Sequence, residues 1–185
     1  MIGPRNLVLI GFMGSGKSTL ARILSARLGL KQLDTDALIE AGTGRRIAQL
    51  FSSGAEHEFR DLETQLLRNL QQQRSNAGVI ACGGGIILRD ENRMLLRQLG
   101  LLVYVDVPMA VAWERVSRDR SRPLAQDYES FARRYHQRLP IYRSLADVTV
   151  QSGQRPASAL GWELLEKASR FGLKPLPSCY GQHSR

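Results

Sequence analysis

The run Gly11-Phe12-Met13-Gly14-Ser15-Gly16-Lys17-Ser18 satisfies the pattern G-x-x-x-x-G-K-[ST] at every fixed position. Glycines in such a run let the backbone curl until successive N–H groups point inward, a concave nest for phosphate oxygens. Lys17 adds a point charge and Ser18 offers a hydroxyl to Mg²⁺. The expectation is a bound nucleoside triphosphate, with Gly14, Ser15, Gly16, Lys17, Ser18 and Thr19 as its phosphate contacts. A second signal is Asp34-Thr35-Asp36, which ends a short apolar segment. Aspartates two residues apart on an extended backbone share a side, so one is suited to a metal-bound water and the other to an acceptor hydroxyl. The same D-x-D also fits an Asx turn or a helix N-cap before Ala37-Leu38-Ile39.

These groups need a frame, and the hydrophobic pattern supplies one. Leu7-Val8-Leu9-Ile10 leads into the glycine run, and Leu20, Ile23, Leu24 and Leu28 behind it make a helical stripe ended by Gly29. Further strands are expected at Lys31-Gln32-Leu33, Val79-Ile80-Ala81-Cys82, Leu101-Leu102-Val103-Tyr104-Val105 and Val148-Thr149-Val150. Helical patterns fill the gaps at 37–40, 47–51, 59–70, 91–99 and 110–116. Apolar strands alternating with helices imply an α/β three-layer sandwich around a five-stranded parallel sheet. Ligands in such sheets gather beyond the carboxyl ends of the strands. The glycine run, Asp34 to Asp36, Gly83-Gly84-Gly85, the segment 115–122 and Ser152-Gly153-Gln154-Arg155-Pro156 each follow one of the five strands.

Composition narrows the classes. The 185 residues carry a net charge of +9, and 22 of the 26 basic residues are arginine, a side chain whose planar fork suits carboxylate and phosphate. Nucleic acid is the rival explanation, but apart from eight arginines between Arg115 and Arg143 the charges are spread without aromatic interleaving. Cys82 and Cys179 show neither zinc spacing nor a disulfide framework, which favours a reducing cytoplasm. No stretch approaches the roughly 18 apolar residues of a membrane span. One domain is expected over 1–171, with an irregular tail over 172–185.

Taken jointly, the ordered blocks resemble the shikimate kinase family, small P-loop enzymes of the nucleoside-monophosphate-kinase-like group. Beyond the glycine run, the resemblance rests on Asp34 to Glu40, Thr43 to Phe51, Glu56 to Glu63 and Gly83-Gly84-Gly85. It continues through Arg122-Pro123-Leu124 and Arg138-Leu139-Pro140-Ile141-Tyr142. The resemblance implies ATP-dependent phosphorylation of the 3-hydroxyl of shikimate, by a monomer that needs Mg²⁺. It also implies a mobile lid over about 115–127 and a substrate-binding helical segment over about 36–70. Asp36 would be the general base on the acceptor hydroxyl, and Asp34 would hold Mg²⁺ beside Ser18. Arg60 and Arg138 would clamp the carboxylate, Gly83, Gly84 and Gly85 would approach the ring, and Glu63 would orient Arg60. Lys17 and Arg122 would carry transition-state charge, and Arg115, Arg155 and Pro156 would flank adenine. Phe51 and Phe59 are read either as a lining for the ring or as core aromatics.

Three departures from the family pattern stand out. Gly54 lies one place early, with Ala55 where a glycine is usual; Ala81-Cys82 precedes the glycine triplet; and Ala125 replaces a second leucine after Leu124. None removes a charged candidate, so altered affinity or lid dynamics is expected rather than loss of activity. A kinase acting on a related carbocyclic or sugar acid, and a regulatory nucleotide-binding protein, are the competing readings.

Overall fold

Alternate residues of the central strands point into two different cores, and that alternation sets the architecture. A computed structural model of the chain describes residues 6–73, 77–118, 127–153 and 155–172. Its strands are β1 (Leu7–Ile10), β2 (Lys31–Asp34), β3 (Gly78–Ala81), β4 (Leu101–Asp106) and β5 (Val148–Gln151). They form one sheet in the order β2-β3-β1-β4-β5 with every pairing parallel, and Leu9 lies opposite both Ala81 and Val103. The helices are α1 (Lys17–Leu28), α2 (Thr35–Thr43), α3 (Ile47–Ser52), α4 (Glu56–Gln72), α5 (Asp90–Leu99), α6 (Met109–Ser117), α7 (Tyr128–Leu145) and α8 (Ala157–Ser169). A 3₁₀ turn, Ile86–Leu88, follows β3.

Leu7, Leu9, Val79, Ala81, Leu101, Val103 and Val105 pack against Leu20 and Leu24 of α1 and Leu160 and Leu164 of α8. Val8, Ile10, Ile80, Leu102 and Tyr104 face the other way, onto Leu67 of α4, Leu96 of α5 and Phe131, Tyr135 and Tyr142 of α7. Two apolar faces on one sheet require two helical layers, which is the expected three-layer sandwich. A third, small cluster of Ile39, Leu50 and Phe59 holds α2, α3 and α4 together.

Two expectations need correction. The segment 31–34 is not a buried strand: Lys31 and Gln32 are exposed and Leu33 and Asp34 half-buried, because β2 is an edge with a single neighbour. Nor do Asp34 and Asp36 share one extended backbone, since Asp34 ends β2 and Asp36 lies in the first turn of α2. Helix α7 was not among the expected elements. Its core stripe, Phe131, Tyr135, Arg138, Tyr142 and Leu145, is helical in spacing but has an arginine at its centre, and Pro140 interrupts the backbone hydrogen bonding. Helix α8 also lies outside the expected helical patterns. Within the lid region 115–127, residues 119–126 lie outside the described residues, as do Arg122 and Ala125; so does all but Gly172 of the expected tail.

Candidate active site

The glycine run connects β1 to α1, and Gly16 caps the helix in a left-handed conformation, φ 89° and ψ 17°. Lys17 is buried, its ammonium donating to the carbonyls of Gly11 at 2.8 Å and Phe12 at 2.9 Å and to Ser15 Oγ at 3.2 Å. The loop's carbonyls thus turn toward Lys17 at one end. At the other end, Arg115 on α6 donates to the Gly14 carbonyl at 2.9 Å and to the Gly153 carbonyl beyond β5. Below this arch is a cavity of about 290 Å³, lined by residues that include Gly16, Lys17, Ser18, Thr19, Asp34, Asp36, Cys82, Gly83 and Arg115.

The helix N-cap reading of the D-x-D signal holds for Asp34. Its Oδ1 accepts from the backbone N–H groups of Asp36 and Ala37, capping α2, while its Oδ2 accepts from Ser18 Oγ at 2.9 Å. Ser18 and one carboxylate oxygen therefore sit together at the foot of the phosphate loop, a set of hard oxygen donors. Among the described residues no cluster of three or more His, Cys, Asp or Glu could cage a metal. That donor set suits Mg²⁺, which keeps several waters and uses few protein ligands.

Asp36 and the arginines meet at the turn after β3. The Gly83 N–H donates to Thr35 Oγ1 at 2.8 Å, tying the turn to the start of α2. A Cβ on Gly83 would run into Asp36 Oδ1, and one on Gly85 would lie 2.7 Å from Cζ of Arg60. Glycine at both positions lets the side chains of Asp36 and Arg60 pack directly on the backbone. Arg60 is 8% exposed and bonded to Glu63 at 2.8 Å and Glu56 at 2.9 Å. Burial works against its charge, but those two carboxylates outweigh it and hold the guanidinium more firmly protonated than usual. Phe51 and Phe59 lie 5.7 and 5.2 Å beneath the same group, so they support Arg60, and Phe59 is also core.

Arg138 projects from the middle of α7, 7% exposed, and donates to the Gly84 carbonyl at 3.4 Å. Tyr142, one turn later, donates to the same carbonyl. No ion pair among the described residues involves Arg138. Burial, with the charges of Arg60 and Arg134, pulls its guanidinium below the ordinary value. Glu63 is wholly buried; Oε2 is taken by Arg60, while Oε1 has no hydrogen-bond partner. Its carboxyl is pushed up to about 7, chiefly by burial, with the pull of Arg60 opposing and the charge of Asp36 adding.

The comparisons decide what such a site belongs to. The sequence model of the shikimate kinase family matches residues 13–169. The chain belongs to the shikimate kinase family. Shikimate kinase of Burkholderia thailandensis is 39% identical over 92% of this chain and 95% of its own, and that of Actinobacillus succinogenes 34% over 92% and 99%. Among solved structures, shikimate kinase from Acinetobacter baumannii in complex with shikimate has a TM-score of 0.85 at 35% identity, covering 94% of this chain and 97% of that one. Shikimate kinase from Aquifex aeolicus gives 0.76 at 30%, covering 91% and 98%.

Within this shikimate kinase frame the remaining candidates are scattered. Arg155 is turned to Glu163 of α8, and Pro156 caps α8; neither lines the cavity. Cys82 is 3% exposed and burial pushes its thiol up, the behaviour of a packing residue. His57 is exposed and paired with Asp61. The Gly54-Ala55 departure has a simple resolution: Gly54 takes the left-handed φ of 75°, and Ala55 keeps φ −85° as it caps α4. Tyr142 and Ser152 were not among the candidate site residues. Tyr142 stood in a quoted block and Ser152 in a segment after β5, but neither carries a charge or motif that marks it.

Proposed function

We propose that the protein transfers the γ-phosphoryl group of ATP to the 3-hydroxyl of shikimate, giving shikimate 3-phosphate and ADP on the route to chorismate and the aromatic amino acids. The observation that carries the acceptor is the pair of buried guanidinium groups at the glycine turn, one of them outside every described ion pair. A desolvated cation of this kind calls for an anion, and two planar forks suit a carboxylate. With the acid held by Arg60 and Arg138, the ring lies against Gly83, Gly84 and Gly85 and its hydroxyl faces Asp36.

The triphosphate lies on Gly14, Ser15, Gly16, Lys17, Ser18 and Thr19. As the hydroxyl oxygen bonds to the γ-phosphorus, its proton passes to the Asp36 carboxylate and the bond to the β,γ-bridging oxygen breaks, releasing ADP. Lys17 leaves its carbonyl partners to meet the phosphate charge, and Arg122 is assigned the same task from the lid. Ser18 and Asp34 are assigned to Mg²⁺, which when bound neutralises charge on the β- and γ-phosphates. Arg115 is assigned to one side of adenine, and Arg155 with Pro156 to the other. The segment 36–70, which folds as α2, α3 and α4, is read as the substrate-binding part of a single domain over 1–171. A cytoplasmic monomer acting on these small molecules, without nucleic acid or membrane, completes the reading. No described helix is long and apolar enough to cross a membrane.

The test is ADP release from purified protein with MgATP and shikimate, beside quinate, gluconate and no-acceptor controls. Turnover that requires shikimate is expected. Equal turnover with quinate or gluconate would reassign the acceptor.

A further inference from the structure

Ser152, the first residue past β5, is 7% exposed, and its hydroxyl donates to the carbonyl of Ser15 at 2.9 Å. Ser15 is itself 1% exposed and lies at the crown of the phosphate loop. The peptide between Ser15 and Gly16 is planar and trans, so its C=O and N–H point in opposite directions. Fixing the Ser15 oxygen against the sheet edge therefore turns the Gly16 N–H the other way, and Gly16 lines the cavity. Gly16 has φ 89° and no side chain to anchor this peptide, so a hydrogen bond on the Ser15 carbonyl is a direct restraint on its orientation.

Ser152 is held for that task. Its N–H donates to the Asp106 carbonyl at 2.6 Å, extending the β4–β5 ladder by one bond. The Asp106 carboxylate is fixed by Tyr104 Oη at 2.8 Å and by Gln151 Nε2 at 2.9 Å. The loop is also held by Lys17, at the Gly11 and Phe12 carbonyls and Ser15 Oγ, and by Arg115, at the Gly14 carbonyl; both are assigned to the nucleotide, whereas the Ser152 hydroxyl is not.

We infer that Ser152 is a positioning residue for phosphoryl transfer, aiming the Gly16 N–H at the triphosphate through the Ser15 carbonyl. The inference rests on the reading of the glycine run as the ATP site. Three variants test it: Ser152→Ala and Ser152→Val, which remove the hydroxyl, and Ser152→Thr, which keeps it at the size of valine. ADP and ATP affinities are measured by calorimetry with Mg²⁺, shikimate and ATP KM by turnover, and the Gly16 amide by ¹H–¹⁵N NMR during ADP titration. The Ala and Val variants are expected to lose nucleotide affinity by about three- to tenfold, the range spanned by one neutral hydrogen bond. Their shikimate KM should be unchanged, and the downfield move of the Gly16 amide on binding ADP should shrink. The Thr variant should recover both.

Nucleotide affinity equal to wild type in the Ala and Val variants would overturn the inference. So would parallel losses for ATP and shikimate that Thr does not rescue, which are the mark of a structural role. Failure of the wild-type protein to bind ATP would instead remove the reading of the nucleotide site, and this inference with it.

Discussion

In the proposed reaction Asp36 takes the acceptor proton, and unlike Asp34 it neither caps a helix nor accepts from Ser18. Asp36→Asn keeps the shape and removes the proton acceptor. Turnover should fall roughly 100- to 10,000-fold, the span of general-base catalysis, with ATP affinity by calorimetry within twofold of wild type. Near-normal kcat would take Asp36 out of the mechanism. Glu63 has a different signature. Its folded carboxyl titrates near 7 against an ordinary 4.5, so between those values the folded chain holds a proton that the unfolded chain has released. Its contribution to stability is therefore complete below about 4.5 and is lost as pH rises through 7. Comparing thermal melts of wild type and Glu63→Gln from pH 5 to pH 8 isolates this group. The wild-type advantage should shrink with rising pH by on the order of 2–3 kcal/mol; parallel curves would refute it.

At the scale of elements, the proposed acceptor site lies at the turn from β3 into the 3₁₀ segment, where Gly83 and Gly85 pack against Asp36 and Arg60. Gly85→Ala places a methyl group against the Arg60 guanidinium, which Glu56 and Glu63 hold in place. Shikimate KM should rise roughly ten- to a hundredfold, as expected when a charge-assisted contact is displaced, and ATP KM should hold. Gly54→Ala is the matching control. Its φ of 75° strains alanine, but open space surrounds the new Cβ. It should lower stability by about 1–2 kcal/mol in urea melts and leave both KM values alone. Equal kinetic effects from the two substitutions would mean that the turn acts through stability and not through Arg60. Helix α7 departs from a simple apolar stripe, with an arginine in its core face and Pro140 inside it. Arg138 occupies a core position of the α7 stripe, so a residue proposed to hold the acceptor carboxylate breaks the pattern by which a helix is read.

Across the whole molecule, the two cores divide the labour. One face of the sheet packs on α1 and α8, while the other packs on α4, α5 and α7, the helices that include those carrying Arg60, Glu63 and Arg138. Leu164 of α8 is wholly buried in the first face. Leu164→Ala should destabilise by about 2–5 kcal/mol in urea and leave KM for both substrates unchanged at 20 °C; a selective rise in one KM would show that this core also tunes the site. The sequence by itself determined the phosphate loop and the class of sheet, because spacing within a loop and apolar periodicity are local properties of a chain, while Asp36, Arg60 and Arg138 were singled out by the family resemblance of the blocks that hold them. Only the tertiary structure decided the strand order, the edge exposure of β2, the burial that sets the Glu63 titration and the hold of Ser152 on Ser15. Those depend on contacts between residues as much as 137 positions apart, and no local pattern carries such a distance.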